Sequence, residues 1–293
     1  MERLIQTIVD GIATGSLYGA LALAVVLIFR TTGIVNFAQG ETAMFSTFIA
    51  WGLVEAGLPL GLAVLATLAL SFLGGMLIER IIIRPVEGGE VLTLVIVTLG
   101  LFILVNSAAG WIWGFTNRGF PAVFGDESVD ILGVRIAWES VGITGVTLAV
   151  VGLLYLFTTR TKLGLAMRAV SANPESSQLA GIRVGRTLMI GWGLAAAVGA
   201  LAGTLIAHSL FLDVNFMGAV LVYSFAAATL GGFDSPAGAV IGGWIIGVTE
   251  QLAGHYVDFI GADLKILVPL AIIIAVLLVR PTGLFGSREV ARV

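Results

Sequence analysis

Apolar segments of membrane-spanning length recur along the whole chain. A helix needs about 20 mostly apolar residues to cross the hydrocarbon layer of a bilayer. Nine such segments can be identified, at 4–29, 42–56, 60–79, 91–113, 140–158, 187–208, 217–233, 237–254 and 262–279. They do not alternate polar and apolar residues as the strands of a membrane barrel do. This pattern predicts an all-α fold, a polytopic membrane protein with about nine transmembrane helices.

Composition agrees with a membrane protein and excludes several kinds of chemistry. Of the residues, 58% are hydrophobic and 11% are charged, against about 45–50% and about 25% in soluble domains. The chain has no cysteine, which excludes disulfides, thiolate metal sites and thiol nucleophiles. It also lacks a G-x-x-x-x-G-K-[ST] phosphate loop, an H-E-x-x-H motif and a G-x-S-x-G motif. We therefore predict no enzyme, no catalytic residue, no metal site and no cofactor.

The distribution of basic residues predicts the orientation of the chain. The connection between the fifth and sixth segments carries five basic residues against one acid, and basic connections face the cytoplasm. The stretch 115–139 is mainly acidic and is expected outside. With nine spans, the amino end lies outside and the carboxyl end in the cytoplasm. The basic residues of the connection are Arg160, Lys162, Arg168, Arg183 and Arg186.

Two similar polar stretches indicate an inverted repeat. VNFAQGE at 35–41 follows the first segment, and VNFMG at 214–218 follows the sixth. Five crossings separate them, so the two stretches would enter the membrane from opposite faces. A three-letter match alone is as consistent with chance, but the matching positions favour a repeat. We predict one transmembrane domain over 1–293, with repeat units at 1–113 and 187–293 and a linking span and cytoplasmic loop at 140–186.

The polar stretches also predict a transport site. Short segments after a polar interruption, at matching positions of an inverted repeat, are typical of a transport site near the bilayer midplane. The segments 42–56 and 217–233 have this character. The expected pathway residues are Asn36, Phe37, Gln39, Glu41, Asn215 and Phe216.

Three of the carboxylates in or beside apolar segments are candidates for a role in the membrane. Glu41 is either a functional membrane carboxylate or a charge favoured by the dipole in the first turn of a helix, and the two interpretations are compatible. Glu79 precedes Arg80 and is expected to reach the membrane interface. For Glu250 a structural role is favoured.

The sequence SANPESSQLAG predicts a short helix in the basic connection. Asn173 is a favourable N-cap, Pro174 suits the first helical position, and Gly181 is placed to end the helix. Glu175 adds an acid to the first turn. Such a helix is either a docking element for a soluble partner or a surface helix without one.

Spaced glycines predict close packing between helices. Small residues four apart let two helix backbones approach each other. The early set is Gly11, Gly15 and Gly19, and the late set is Gly238, Gly242, Gly243 and Gly247. This pattern predicts packing and does not specify a function.

Several motifs together resemble one family. They are FRTTGIVNFAQGETAMF, VTLG at 97–100, RTKLGLAMRAVSANPESSQLAGI, NFMGAVLVYSFAAATLGGFDSPAGAVIGGWIIGVTE and the closing RPTGLFG. In this order they resemble the permeases of branched-chain amino acid ABC transporters, the high-affinity leucine, isoleucine and valine import type. Within that family the chain is more similar to the H-type subunit. The resemblance covers nearly the whole chain.

The resemblance implies a permease of an ATP-driven importer, which carries branched-chain or other amino acids across a bacterial or archaeal plasma membrane by alternating access. The implied partners are two cytoplasmic ATP-binding subunits, which hydrolyse the ATP, a second permease and an extracytoplasmic solute-binding protein. Nucleic acid is not an expected partner. The residues that match the ATPase-docking element, with the neighbouring Gln178 added, are Arg168, Ala169, Asn173, Pro174, Glu175, Gln178, Ala180 and Gly181.

The resemblance also bears on the pathway. Asn36, Phe37 and Glu41 match the polar opening of the second helix, and Thr98 of VTLG is included in the expected pathway. Relatives commonly have His where this chain has Gln39, which argues against proton chemistry at that position. Two other functions stay open: a urea or short-amide permease of the same family, and a free-standing secondary transporter with a coupling ion at Glu41 or Glu250. A membrane scaffold would leave the capped helix unexplained.

Overall fold

The computed structural model describes residues 2–125, 127–131, 134–257, 259–261 and 264–286. These residues form helices joined by short connections, together with one small hairpin of β1 (Ser128–Ile131) and β2 (Val134–Ala137). The helices are α1 (Glu2–Thr32), α2 (Gln39–Glu55), α3 (Leu60–Ile78), α4 (Val91–Trp113), α5 (Trp138–Arg160), α6 (Lys162–Ala172), α7 (Pro174–Leu179), α8 (Val184–Leu210), α9 (Phe216–Gly231), α10 (Pro236–Tyr256) and α11 (Leu267–Val279).

The all-α prediction is confirmed, because each of the nine apolar segments contains a helix. By length and hydropathy, five of the described helices could cross a membrane, or six if α9 and α10 form one broken span. The short helices α2 and α11 have 17 and 13 residues. At about 1.5 Å per residue they are about 25 and 20 Å long, less than the hydrocarbon core of about 30 Å. The count of nine spans is therefore not confirmed.

A sharp break separates α9 from α10. The two helices are bent by 120°, and Gly232 takes a φ of +103° between them. Ser235 then caps α10 by accepting a hydrogen bond from the Gly238 N–H at 3.0 Å. The closing RPTGLFG segment folds back to the break, where the Leu284 N–H donates to the Leu230 carbonyl at 2.7 Å. This bond pairs a carbonyl that the end of α9 leaves without a helical donor.

The chain divides into two compact units. Unit 1 holds the described residues of Met1–Val26, Phe124–Leu148 and Ala219–Val293. Unit 2 holds Leu27–Val123 and Ala149–Gly218. The predicted division into 1–113 and 187–293 concerns symmetry rather than compactness, so it stays a prediction.

In unit 1, glycines bring α1 and α10 into backbone contact. A Cβ added at Gly15 would lie 2.5 Å from the Gly243 carbonyl oxygen, and one at Gly11 would lie 2.6 Å from Cα of Val248. Real side chains essentially never approach so closely. Gly11, Gly15 and Gly19 of α1 therefore form this crossing with Gly243 and Gly247 of α10, whereas Gly238 and Gly242 meet the backbone of α9.

Glu250 connects three helices of the same unit. The Tyr18 hydroxyl of α1 donates to the Glu250 carboxylate at 2.8 Å, and the Tyr223 side chain of α9 hydrogen-bonds the same group. The two phenol rings stack with centroids 4.5 Å apart. Because all three side chains are buried, this cluster holds α1, α9 and α10 together.

In unit 2, α8 packs against α2 and α3. A Cβ at Gly75 of α3 would lie 2.5 Å from the Trp192 carbonyl oxygen, and one at Gly193 of α8 would lie 2.8 Å from the Phe72 carbonyl oxygen. The Ser71 hydroxyl donates to the Ser46 hydroxyl at 2.8 Å and joins α3 to α2. These contacts pack α3 against both α8 and α2.

Candidate functional site

The first polar stretch forms a buried turn that leads into α2. The Ala38 N–H donates to Asn36 Oδ1 at 3.0 Å, which is an Asx turn. Asn36 Nδ2 donates to Gln39 Oε1 at 3.3 Å, and Gln39 Nε2 donates to the Ala195 carbonyl of α8 at 3.2 Å. Asn36 and Gln39 are both almost fully buried. A chain of amides therefore connects this turn to α8.

Glu41 lies in the first turn of α2 and is buried. Its carboxylate accepts a hydrogen bond at 3.0 Å from Nδ2 of Asn106 on α4. Asn106 Nδ2 also donates to the Val214 carbonyl at 2.9 Å. Val214 is the first residue of the second polar stretch, so Asn106 connects the two similar stretches.

Asn106 is not among the pathway residues expected from the sequence. A signal was available, because Asn106 is the one carboxamide in the 23-residue apolar segment of α4, and polar side chains within membrane helices are often functional. Its partners, however, lie 65 and 108 residues away in the sequence. The local sequence pattern could therefore not identify these partners.

The second polar stretch differs from the first in its local structure. Here Asp213 Oδ1 accepts from the Asn215 N–H at 2.6 Å, and α9 begins at Phe216. Asp213 therefore has the position that Asn36 has before α2, three residues ahead of the helix. Asn215 is exposed, whereas Asn36 is buried. The VNF letters pair Asn36 with Asn215, but the turns pair Asn36 with Asp213. The sequence match and the structural match therefore differ by two residues.

Two predicted pathway residues line one small cavity in unit 2. Asn36 and Thr98 share it with Trp192 and with the polar Thr32. Thr98 donates its hydroxyl to the Val95 carbonyl at 2.9 Å. The apolar wall consists of Ile28, Ile34, Val35, Ile83 and Leu94. Phe37, by contrast, is half-buried beside this site and does not line the cavity.

The predicted docking helix is present as α7. Asn173 Oδ1 accepts from the Ser176 N–H at 2.8 Å, Pro174 occupies the first turn, and Gly181 takes a φ of +84° beyond the helix end at Ala180. Glu175 and Gln178 are exposed. Arg168 is exposed on α6, a helix that the sequence analysis does not predict. The residues expected to contact an ATPase therefore lie on or beside two successive short helices.

An ion pair connects the end of α3 to the start of α8. Arg84 donates from Nη2 to Glu79 Oε2 at 2.7 Å and from Nε to Oε1 at 3.1 Å. Nη2 also donates to the Gly185 carbonyl at 2.6 Å. The Glu79 side chain is 1% exposed, so the expectation that it reaches the interface beside Arg80 is wrong. A π-helical turn at Glu79–Ile83 extends α3 and brings Arg84 round to its partner.

Removal of the Asn106 amide tests the link between the polar stretches. We expect Asn106→Ala to lower the free energy of unfolding by about 1.5–3 kcal/mol, since the buried Glu41 carboxylate loses a charge-assisted hydrogen bond. The melting temperature in detergent measures this change. Ser107→Ala, at the exposed neighbouring position, is the matched control. Equal melting temperatures for the two variants would contradict the link.

Comparison with known proteins adds an independent finding. The model of the family described as "Branched-chain amino acid transport system / permease component" matches residues 7–277. The chain belongs to this family. It is 31% identical to the high-affinity branched-chain amino acid transport system permease protein BraD of Pseudomonas aeruginosa, over 99% of this chain and 98% of BraD.

Two further members of the branched-chain permease family show the same extent of similarity. LivH of Escherichia coli K12 is 28% identical over 99% of this chain and 97% of LivH. A probable LivH of the archaeon Methanocaldococcus jannaschii is 31% identical over 91% of this chain and 87% of that protein. A solved structure, PsaBC from Streptococcus pneumoniae in complex with Fab, matches at 15% identity and a TM-score of 0.48, covering 93% of this chain and 91% of that chain. The family match and these three permeases identify the chain as a membrane permease over nearly its whole length.

Proposed function

We propose that this chain is the permease subunit of an ATP-driven importer that carries branched-chain amino acids across the plasma membrane. Two cytoplasmic ATP-binding subunits, a second permease, identical or homologous, and an extracytoplasmic binding protein complete the assembly. The amino end lies outside and the carboxyl end in the cytoplasm. ATP hydrolysis takes place on the separate subunits, so this chain itself is not an enzyme.

The observation that carries the proposal is the exposure of α7. Of its six residues, Ser177 is buried, and Leu179 presents 91% of its surface. A capped helix with an exposed leucine, next to the basic residues of α6, is suited to bind a groove on a soluble subunit. In this proposal that subunit is the ATPase, and Glu175 and Gln178 contact it.

The path from α7 to the polar site follows α8. Gly181 ends α7, and α8 starts at Val184 and runs for 27 residues, about 40 Å. The same helix contributes Trp192 to the cavity and the Ala195 carbonyl to Gln39. A shift of α7 is therefore proposed to move α8 against α2, because packed helices transmit displacement as stiff bodies. The polar stretches would then open alternately to the two sides.

The polar groups of the site are suited to bind a solute reversibly, as transport requires. Amides and hydroxyls from Asn36, Gln39 and Thr98 bind a zwitterion by hydrogen bonds, whereas a lone buried charge would hold it too strongly to release it. Glu41, the one carboxylate in this group, is bonded to Asn106. The same hydrogen-bonding groups would also bind urea or a short amide. The experiment below therefore compares the uptake of leucine with the uptake of urea.

Reconstitution of the complete transporter in proteoliposomes tests the proposal. We expect ATP-dependent uptake of labelled leucine and no uptake of urea. The double substitution Glu175→Leu and Gln178→Leu should lower uptake at least about tenfold while ATP hydrolysis continues, since the loss of about 1.4 kcal/mol of contact energy corresponds to a factor of ten. Exposed Glu90 provides a matched control as Glu90→Leu.

Two results would contradict the proposal. Coupled uptake at the wild-type level in the double variant would show that α7 does not contact the ATPase. Uptake by this chain alone in liposomes, driven by a proton or sodium gradient, would instead identify a secondary transporter with Glu41 or Glu250 at its ion site.

A further inference from the structure

The indole of Trp192 is a buried donor without an acceptor. Trp192 is 4% exposed, and its Nε1 has no hydrogen-bond partner among the described residues. A buried tryptophan usually pairs its N–H, because an unpaired polar group away from water costs free energy. Trp244 of unit 1 follows the rule, since its Nε1 donates to the Ser16 hydroxyl at 2.8 Å. The unpaired indole therefore suggests an acceptor from outside the chain.

The surroundings of Trp192 indicate where that acceptor would come from. Trp192 lines the cavity that also contains Asn36, Thr32 and Thr98. The other polar side chains of the cavity have partners within the chain: Asn36 bonds Gln39, Thr98 bonds the Val95 carbonyl and Thr32 bonds the Ile28 carbonyl. Among the described residues that line the cavity, Trp192 alone contributes an unpaired side-chain donor.

The backbone holds Trp192 in a fixed position. On one side, Gly75 of α3 meets the Trp192 carbonyl, where an added Cβ would be 2.5 Å away. On the next residue, Gly193 meets the Phe72 carbonyl, with 2.8 Å to an added Cβ. Two helices in backbone contact at Trp192 cannot shift without breaking this packing. The backbone that carries the indole is therefore held in place before a solute arrives.

We propose that the Trp192 N–H binds the carboxylate of an aliphatic amino acid in transit, while the apolar wall of the cavity receives its side chain. The inference rests on the proposed function and adds a specific residue to it. An indole is a donor only, so it selects an acceptor, and a hydrogen bond to a carboxylate is stronger than one between neutral groups. Because the indole is uncharged, the bond is also weak enough to release the solute.

The small size of the cavity indicates at which step of the transport cycle the solute binds Trp192. The cavity is a narrow recess with an apolar wall, so a whole amino acid enters only when the surrounding helices separate. The backbone at Trp192 is already packed before that opening, which reduces the ordering that binding requires. Trp192 therefore binds the solute in the open state and loses it on closure.

Indole NMR tests the inference without depending on transport. The complete transporter in nanodiscs carries ¹⁵N-labelled tryptophan, and Trp192→Phe, which keeps a ring but removes the N–H, assigns the resonance. Leucine and 4-methylpentanoate, which both have a carboxylate, are expected to move the Trp192 indole proton downfield at millimolar concentration. 4-Methylpentylamine, which has the same carbon chain and no carboxylate, should leave it in place.

Uptake gives a second, independent readout. In proteoliposomes, Trp192→Phe should lower ATP-driven leucine uptake about tenfold, the factor expected from one lost hydrogen bond to a charged group. Hydrolysis of ATP stimulated by the binding protein should persist. Trp111, whose ring is 87% exposed, provides the matched control Trp111→Phe, which should transport like the wild type.

The outcomes separate this inference from the proposed function. If the wild type and Trp192→Phe both show normal ATP-driven uptake, the role of Trp192 is overturned and the proposed importer function stands. Equal shifts from the amine and the two carboxylates would also overturn it. If the wild type shows no ATP-driven uptake, the proposed function fails, and the carboxylate-dependent shift still decides whether Trp192 binds the anion.

Discussion

Gly15→Ala is expected to destabilise the folded protein strongly. The added Cβ would lie 2.5 Å from the Gly243 carbonyl oxygen and 2.7 Å from Cα of Trp244. Both are backbone atoms of α10, which cannot move aside as the end of a flexible side chain can. Overpacking of a core usually costs about 1–3 kcal/mol, and a backbone clash belongs at or above the upper end of that range. We therefore expect a loss of about 3 kcal/mol or more.

Fluorescence-detected size exclusion of a tagged protein measures this loss as aggregation and a lower melting temperature. Gly100 of α4 is an exposed helical glycine with open space around its Cβ position, so Gly100→Ala is the matched control. It should be neutral or slightly stabilising, because alanine has the higher helix propensity. A Gly15→Ala protein that melts like Gly100→Ala would show that α1 and α10 are not in backbone contact.

Arg84→Ala is expected to cause the second large loss of stability. The substitution leaves the Glu79 carboxylate buried at 1% exposure without its partner. Breaking a buried ion pair costs about 3–5 kcal/mol. The Arg84 side chain is 33% exposed, so water screens the pair, and we expect about 2–3 kcal/mol. The melting temperature should fall accordingly.

The same substitution should loosen the start of α8, because the bond from Arg84 to the Gly185 carbonyl is lost. Faster trypsin cleavage after Arg183 and Arg186 measures this local effect. The double variant Glu79→Leu, Arg84→Leu should regain most of the stability, since it removes the unpaired charge, but should still be cleaved faster than the wild type. An additive double-mutant cycle would contradict a direct pair.

Much of the fold could be predicted from apolar segment length. The segment 91–113 coincides with α4 at both ends, and 60–79 extends one residue beyond α3. The α7 helix followed from Asn173 and Pro174, because caps are local signals. The break between α9 and α10 was not predicted as a 120° bend, although Ser235 and Pro236 mark a helix start. Its geometry depends on the segment at 280–286, which is distant in sequence.

The candidate site was predicted in part. Polar residues beside short apolar segments singled out Asn36, Gln39 and Glu41, which are buried at the start of α2; their place in a transport pathway stays a prediction. Sequence reasoning missed Asn106 and Trp192, since their roles come from tertiary neighbours. It also paired Asn215 with Asn36 by matching letters, whereas Asp213 occupies the equivalent turn. Identical residues in two segments do not show that the same positions form the same hydrogen bonds to the backbone.

Labelling of an engineered thiol at Ser176 tests the central claim most directly. The natural chain has no cysteine, and Ser176 lies exposed on α7, so Ser176→Cys is a unique reporter of the side that α7 faces. The account predicts that a maleimide unable to cross lipid labels it in inside-out vesicles and not from outside intact cells. Thr116→Cys, at an exposed position of the predicted outer stretch, should give the opposite pattern. Labelling of Ser176→Cys from outside would contradict the ATPase contact and the orientation together.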